Sequence, residues 1–107
     1  MDPKTQARFD ARAKIVKALA HPTRLFIADQ LSDQAEKCVC ELTEMIGADM
    51  STVSKHLSVL KGAGLICDEK RGSQVYYKLR VCCLTDFFAC VESVLENNVA
   101  QQQELLA

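Results

Sequence analysis

Two helical patterns in the middle of the chain are separated by only Gly47, Ala48 and Asp49, and soon after them the hydrophobic period changes from helical spacing to two-residue alternation. A break that short forces the second helix to cross the first, which is the helix-turn-helix arrangement. Gly47 can adopt the left-handed conformation that stops a helix, and Asp49 or Ser51 can cap the next one. The second helix, read over Ser51 to Ala63, sets Val53, Leu57 and Leu60 on one face. At 100 degrees per residue Ser51, Lys55 and Ser58 lie roughly opposite, with Thr52 and Ser54 beside them. Short hydroxyls allow close approach to a major groove, and Lys55 can reach a phosphate or a guanine edge.

After Leu65, the segments Ile66 to Lys70 and Gln74 to Leu79 read as two strands joined by a tight turn at Arg71-Gly72-Ser73. This is a wing, and Lys70, Arg71 and Ser73 at its tip are candidate phosphate contacts beside the reading helix. Before the central unit, Phe9, Ala13, Val16 and Ala20 repeat at helical spacing. His21-Pro22 ends that helix, and Pro22 opens another whose apolar residues are Leu25, Phe26, Ala28 and Leu31. Ser32 to Lys37 reads as a polar turn. From Leu84, the residues Phe87, Phe88, Val91, Val94, Leu95 and Val99 form a long amphipathic stripe, too apolar for a monomer of 107 residues. The expected architecture is therefore a mainly α fold with a two-stranded β wing, a single winged helix-turn-helix domain over 1–107. It pairs as a helix-rich homodimer through its N-terminal and C-terminal helices.

Formal net charge is −1, which looks wrong for a nucleic-acid binder until it is resolved along the chain. Residues 1–28 carry +4 and residues 29–49 carry −5, while residues 50–80 carry +4 and residues 81–107 carry −4. Such blocks are compatible with one DNA-facing surface. No apolar run is long enough to span a bilayer, and the first residues lack the apolar core of an export signal, so a cytoplasmic location is expected. In that compartment six cysteines read as free thiols for metal binding or redox chemistry. A thiol enzyme is disfavoured, because the chain has no Cys-X-X-Cys motif, no Gly-rich cofactor loop and no Cys/His nucleophile arrangement. A small organic substrate is not expected.

Over nearly its whole length the chain resembles the ArsR/SmtB family of metal-responsive repressors. The matching residues are Ala20-His21-Pro22-Thr23-Arg24, then Cys38-Val39-Cys40-Glu41-Leu42, the string from Ser51 to Leu65, and Arg71-Gly72-Ser73-Gln74-Val75-Tyr76-Tyr77. The resemblance implies a homodimer that holds inverted-repeat double-stranded operator DNA when ligand-free and releases it when an inducer binds. Cys38 and Cys40 look like the metal box of the arsenite and cadmium branches. Thr43 stands where the arsenite branch often has a third cysteine, and residues 1–37 hold none of the N-terminal cysteines of the cadmium branch, so another group must complete that site. Residues two apart on a helix diverge by about 200 degrees, so both sulfurs reach one ion only if Cys38 precedes the helix or its first turn distorts.

Cys82, Cys83 and Cys90 form a second cluster. Cys83 and Cys90 are seven apart and share a helix face, and Cys82 at the helix entrance can turn inward. Three thiolates suit pyramidal As(III) or Sb(III) and exclude magnesium and calcium. The triad resembles that of family arsenite sensors with a vicinal pair plus a nearby cysteine in the C-terminal helix. It is expected to be the more complete site, with Cys38 and Cys40 a second site or a partner across the dimer. Cd(II), Pb(II), Zn(II) and thiol oxidation or polysulfide are the alternative signals. The family's histidine-containing zinc site is not expected, since the C-terminal helix has no His. Cys67 reads as a small core residue and His21 as a hydrogen-bonding group at a helix junction. His56 lies between the apolar and DNA faces, within reach of a phosphate.

Overall fold

Three helices begin on a side chain that accepts a hydrogen bond from the first turn, which is why their starts are sharp. The computed structural model describes residues 1–106. Asp2 caps α1 (Pro3–Leu19) by accepting from the Thr5 amide at 2.7 Å, and His21 Nδ1 caps α2 (Pro22–Gln30) by accepting from Thr23 at 3.1 Å. The helix α3 (Val39–Ile46) stops where Gly47 takes φ 77°. Asp49, rather than Ser51, then caps α4 (Met50–Gly62) through the Thr52 amide at 2.7 Å. Strands β2 (Ile66–Arg71) and β3 (Gln74–Leu79) form the hairpin wing, closed by Gly72 at φ 63°. The chain ends in α5 (Leu84–Leu106).

The wing is the expected two-stranded hairpin, and the sheet gains a third strand beside it. A short strand β1 (Lys37–Cys38) pairs antiparallel with β3, Lys37 opposite Tyr77 and Cys38 opposite Tyr76, so the order is β1-β3-β2. The polar turn expected to run to Lys37 thus ends earlier, after Asp33 and Gln34 take left-handed φ of 58° and 62°.

Ile27, Leu31, Leu42, Val53, Leu57, Leu60 and Ile66 are fully buried and join α2, α3, α4 and the sheet in one core. The three apolar positions expected on α4 are all there. The stripe of α1, expected at a dimer interface, stays outside the core of the single chain: Phe9 is 49% and Val16 55% exposed, and only Ala18 and Leu19 enter the core, because α1 meets the body through its last turn. On α2 the buried residues are Ile27 and Ala28, with Leu25 and Phe26 left outside. Leu84 anchors α5, Phe88 packs partly against the core, and the rest of the stripe faces outward. Two projecting helices explain a radius of gyration of 16.8 Å, against about 13 Å for a compact chain of 100 residues.

Candidate nucleic-acid interface and thiol sites

Burying Val53, Leu57 and Leu60 turns the opposite side of α4 outward, so Ser51, Thr52, Ser54, Lys55 and Ser58 are exposed on one surface. The Asp49 carboxylate that starts the helix also accepts from Ser51 Oγ at 2.9 Å, and the Thr52 amide above all holds its pKa below the usual carboxylate range. Lys55 forms no salt bridge among the described residues. The face is thus polar, short and carries one available cation, as expected.

His56 sits differently from the rest of that row. It is half-buried, its ring centroid 4.4 Å from that of His21 and its Nδ1 3.3 Å from Arg24 Nη1. Arginine only donates, so this contact requires the tautomer with its proton on Nε2. Burial first, then neighbouring His21 and the Arg24 charge, hold the His56 pKa below its ordinary 6.5. Arg24 also donates Nε–H to the Ala18 carbonyl at 2.6 Å, tying the end of α1 and the start of α2 to the middle of α4.

At the wing tip Lys70, Arg71 and Ser73 are all exposed, but their freedom differs. Arg71 donates to both carboxylate oxygens of Glu36 at 2.8 and 3.2 Å and to Glu69 at 3.0 Å, and its guanidinium lies 5.0 Å from the Tyr76 ring centroid. Its hydrogen bond keeps the Glu36 carboxyl below the usual range. Arg71 is therefore engaged within the chain, whereas Lys70 makes no salt bridge among the described residues. Glu36 carried no signal in the sequence, since its partner lies 35 positions away.

All six cysteines are free thiols. Cys38 is buried in β1 and precedes α3, one of the two arrangements in which it could share an ion with Cys40. Its amide donates to Glu41 Oε1 at 3.2 Å. Cys40 is exposed in the first turn of α3, and its Sγ donates to Gln74 Oε1 at the start of β3, 3.4 Å away. Cys40 is thus bonded to the tip end of the wing, where Gln74 pairs with Arg71, while Cys38 lies opposite Tyr76 further along β3. Cys67 is half-buried on β2.

Cys82, Cys83 and Cys90 are exposed. Cys83 lies just before α5 rather than within it, and its carbonyl accepts from the Phe87 amide at 3.4 Å. Cys82 and Cys83 thus lie in the connection at the entry to α5, and Cys90 lies two turns further along the helix. Cys82 lines a polar cavity of about 350 Å³ with Asp33, Gln34 and Arg80. Among the described residues no three His, Cys, Asp or Glu side chains are assembled to hold a metal ion. No helix among them is long and apolar enough to cross a membrane.

The family model described as bacterial regulatory protein, arsR family, matches residues 21–67. The chain is 43% identical over 67 residues to a cadmium resistance transcriptional regulatory protein homolog of Staphylococcus aureus, covering 63% of this chain and 55% of that protein. It is 32% identical over 93 residues to an arsenic resistance transcriptional regulator of Pseudomonas putida, covering 87% of this chain and 70% of that one. Its fold is similar to a homodimeric winged helix-turn-helix DNA-binding domain from Mycobacterium bovis, with TM-score 0.78, 30% identity and coverage of 94% and 93% of the two chains. The chain spans little more than half the length of the cadmium regulator and of a Mycobacterium tuberculosis repressor that it also matches. The family and these relatives are transcriptional regulators rather than enzymes.

Proposed function

This chain belongs to the arsR family of bacterial regulatory proteins, and from that premise we propose that it is a cytoplasmic transcriptional repressor. As a homodimer it binds an inverted-repeat operator when ligand-free and dissociates when arsenite or antimonite binds its cysteine thiolates. The observation that carries the DNA-binding half is the exposed row Ser51, Thr52, Ser54, Lys55 and Ser58 on a helix held rigidly by its own buried face. Inserted in the major groove, the hydroxyls meet base edges and phosphates while Lys55 supplies charge. Lys70 and Ser73 reach the neighbouring backbone from the wing, and Arg71 joins them once it leaves Glu36. His56 reaches a phosphate only by giving up Arg24.

The dimer is supported by the uncovered apolar residues of α1 and α5, and by a groove of about 510 Å³ between α2 and α5 lined by Leu25, Phe26, Phe88, Val91 and Leu95. The thiols of Cys82, Cys83 and Cys90 supply the three soft donors that trivalent arsenic takes. Because Cys82 and Cys83 lie in the connection before α5, closing three sulfurs on one atom displaces the start of the dimerising helix. Cys38 and Cys40 are the second site, and a ligand there displaces the thiol proton by which Cys40 donates to Gln74.

Cadmium, with lead or zinc(II), is the second reading of the signal. It is favoured by the placement of Cys38 outside α3, which lets both sulfurs face one ion, and by the name of the Staphylococcus aureus relative. Oxidation or polysulfide would use the same free thiols.

The test is fluorescence anisotropy on labelled promoter DNA titrated with arsenite, antimonite, cadmium, lead, zinc and polysulfide, on the native chain and on C82S/C83S/C90S and C38S/C40S variants. Arsenite is expected to release the native protein at the lowest concentration, and the triple variant is expected to need far more. A triple variant released at the native arsenite concentration would overturn the ranking of the two clusters. Lys55→Ala is expected to weaken DNA binding without changing inducer stoichiometry, and unchanged affinity would remove α4 as the reading helix.

A further inference from the structure

The +4 charge of residues 1–28 has no role in the interface described so far. Part of it converges on a groove of about 450 Å³ between α1 and α4, lined by Lys14, Lys17, Arg24, Ser58 and Gly62 among others. Three cations and no carboxylate line it. Lys14 and Lys17 are exposed and form no salt bridge among the described residues. Arg24 is half-buried, and its bonds to the Ala18 carbonyl and to His56 fix the plane of its guanidinium. The floor is open: a Cβ added at Gly62 would meet nothing within 4 Å.

Ser58 belongs both to this groove and to the outward face of α4, so the two surfaces are continuous. From Ser51 to Gly62 the helix rises about 16 Å, equivalent to about five base-pair steps of 3.4 Å. We propose that the α1–α4 groove is a second DNA site, in which Lys14, Lys17 and Arg24 hold backbone phosphates flanking the bases read by the start of α4. The proposal rests on the reading of the chain as a DNA-binding repressor. The groove contributes affinity and register, with no base preference, because cations around a hydroxyl and a glycine offer phosphate contacts without a pattern for base edges.

The test compares anisotropy titrations on a long operator duplex and on one trimmed of its flanks, at several salt concentrations. A counterion-release slope of about 0.9 per phosphate makes each contact worth about eightfold at 0.1 M salt. The K14A/K17A variant is therefore expected to bind the long duplex up to about 60-fold more weakly, with a salt slope lower by about 1.8. It is expected to lose little further on the trimmed duplex, whereas the native chain loses the difference. Gly62→Glu, which places a carboxylate in open space, is expected to mimic the lysine loss, with Gly62→Ala as its neutral counterpart. Lys55→Ala weakens binding to both duplexes.

Native affinity and salt slope in both K14A/K17A and Gly62→Glu would overturn the proposal. So would a K14A/K17A chain that sediments as a monomer while the native chain is a dimer, which would make the lysines a subunit contact. Failure of the native chain to bind any duplex would instead remove the repressor reading itself.

Discussion

Replacing Leu95 by Asp separates what the chain needs to fold from what it needs to dimerise. Leu95 is 52% exposed and lies on the α5 stripe, outside the core that joins α2, α3, α4 and the sheet. Full burial of a leucine is worth about 1.5–3 kcal/mol, so covering its exposed half against a second copy contributes about 1 kcal/mol per subunit. Losing that twice removes about 2 kcal/mol, and desolvating two unpaired carboxylates at the interface adds several more. A total near 5 kcal/mol weakens dimerisation by about three to four orders of magnitude. Sedimentation equilibrium is expected to give a dimer for the native chain and a monomer for Leu95→Asp at micromolar concentration, with the helical circular dichroism retained. On an operator with two half-sites the variant is expected to lose the gain from linked binding. A Leu95→Asp chain that still sediments as a tight dimer would refute the placement of the interface on α5.

Leu57 is fully buried beneath the exposed face of α4, so Leu57→Ala is expected to cost about 2–5 kcal/mol, read from the urea midpoint. An unchanged midpoint would place the core elsewhere. Glu36→Gln removes one carboxylate partner of Arg71 and is expected to raise non-specific DNA affinity with a steeper salt dependence. No change in slope would mean that Arg71 stays with Glu69. His56 has a pKa below 6.5 when folded, so the unfolded chain binds the proton first as pH falls, and stability is expected to decline below about pH 6.5. Thermal melts of native and His56→Gln chains should diverge in slope there, and parallel curves would exclude that histidine as the cause.

The central fold was legible in the sequence because each of its parts has a local cause. Gly47 stops α3, Asp49 starts α4, and the change of period after Leu65 marks the hairpin. The strand β1 was not legible, since two residues carry no periodicity and their pairing with Tyr76 and Tyr77 is long-range. On α1 the spacing of Phe9, Ala13 and Val16 reports an apolar face but not what covers it, and the chain's own core does not. The seven residues between Cys83 and Cys90 are read from helical spacing, which Cys83 joins at the very entry of α5 through its carbonyl. The engagement of Arg71 by Glu36 and of His56 by Arg24 depends on contacts more than 30 positions apart.

The most direct measurement is the arsenite concentration that releases labelled operator from a chain with serine at Cys38, Cys40, Cys82, Cys83 and Cys90. That variant is expected to bind the operator as the native chain does and to stay bound throughout the titration. Release of both proteins along the same arsenite curve would contradict thiolate control of DNA binding.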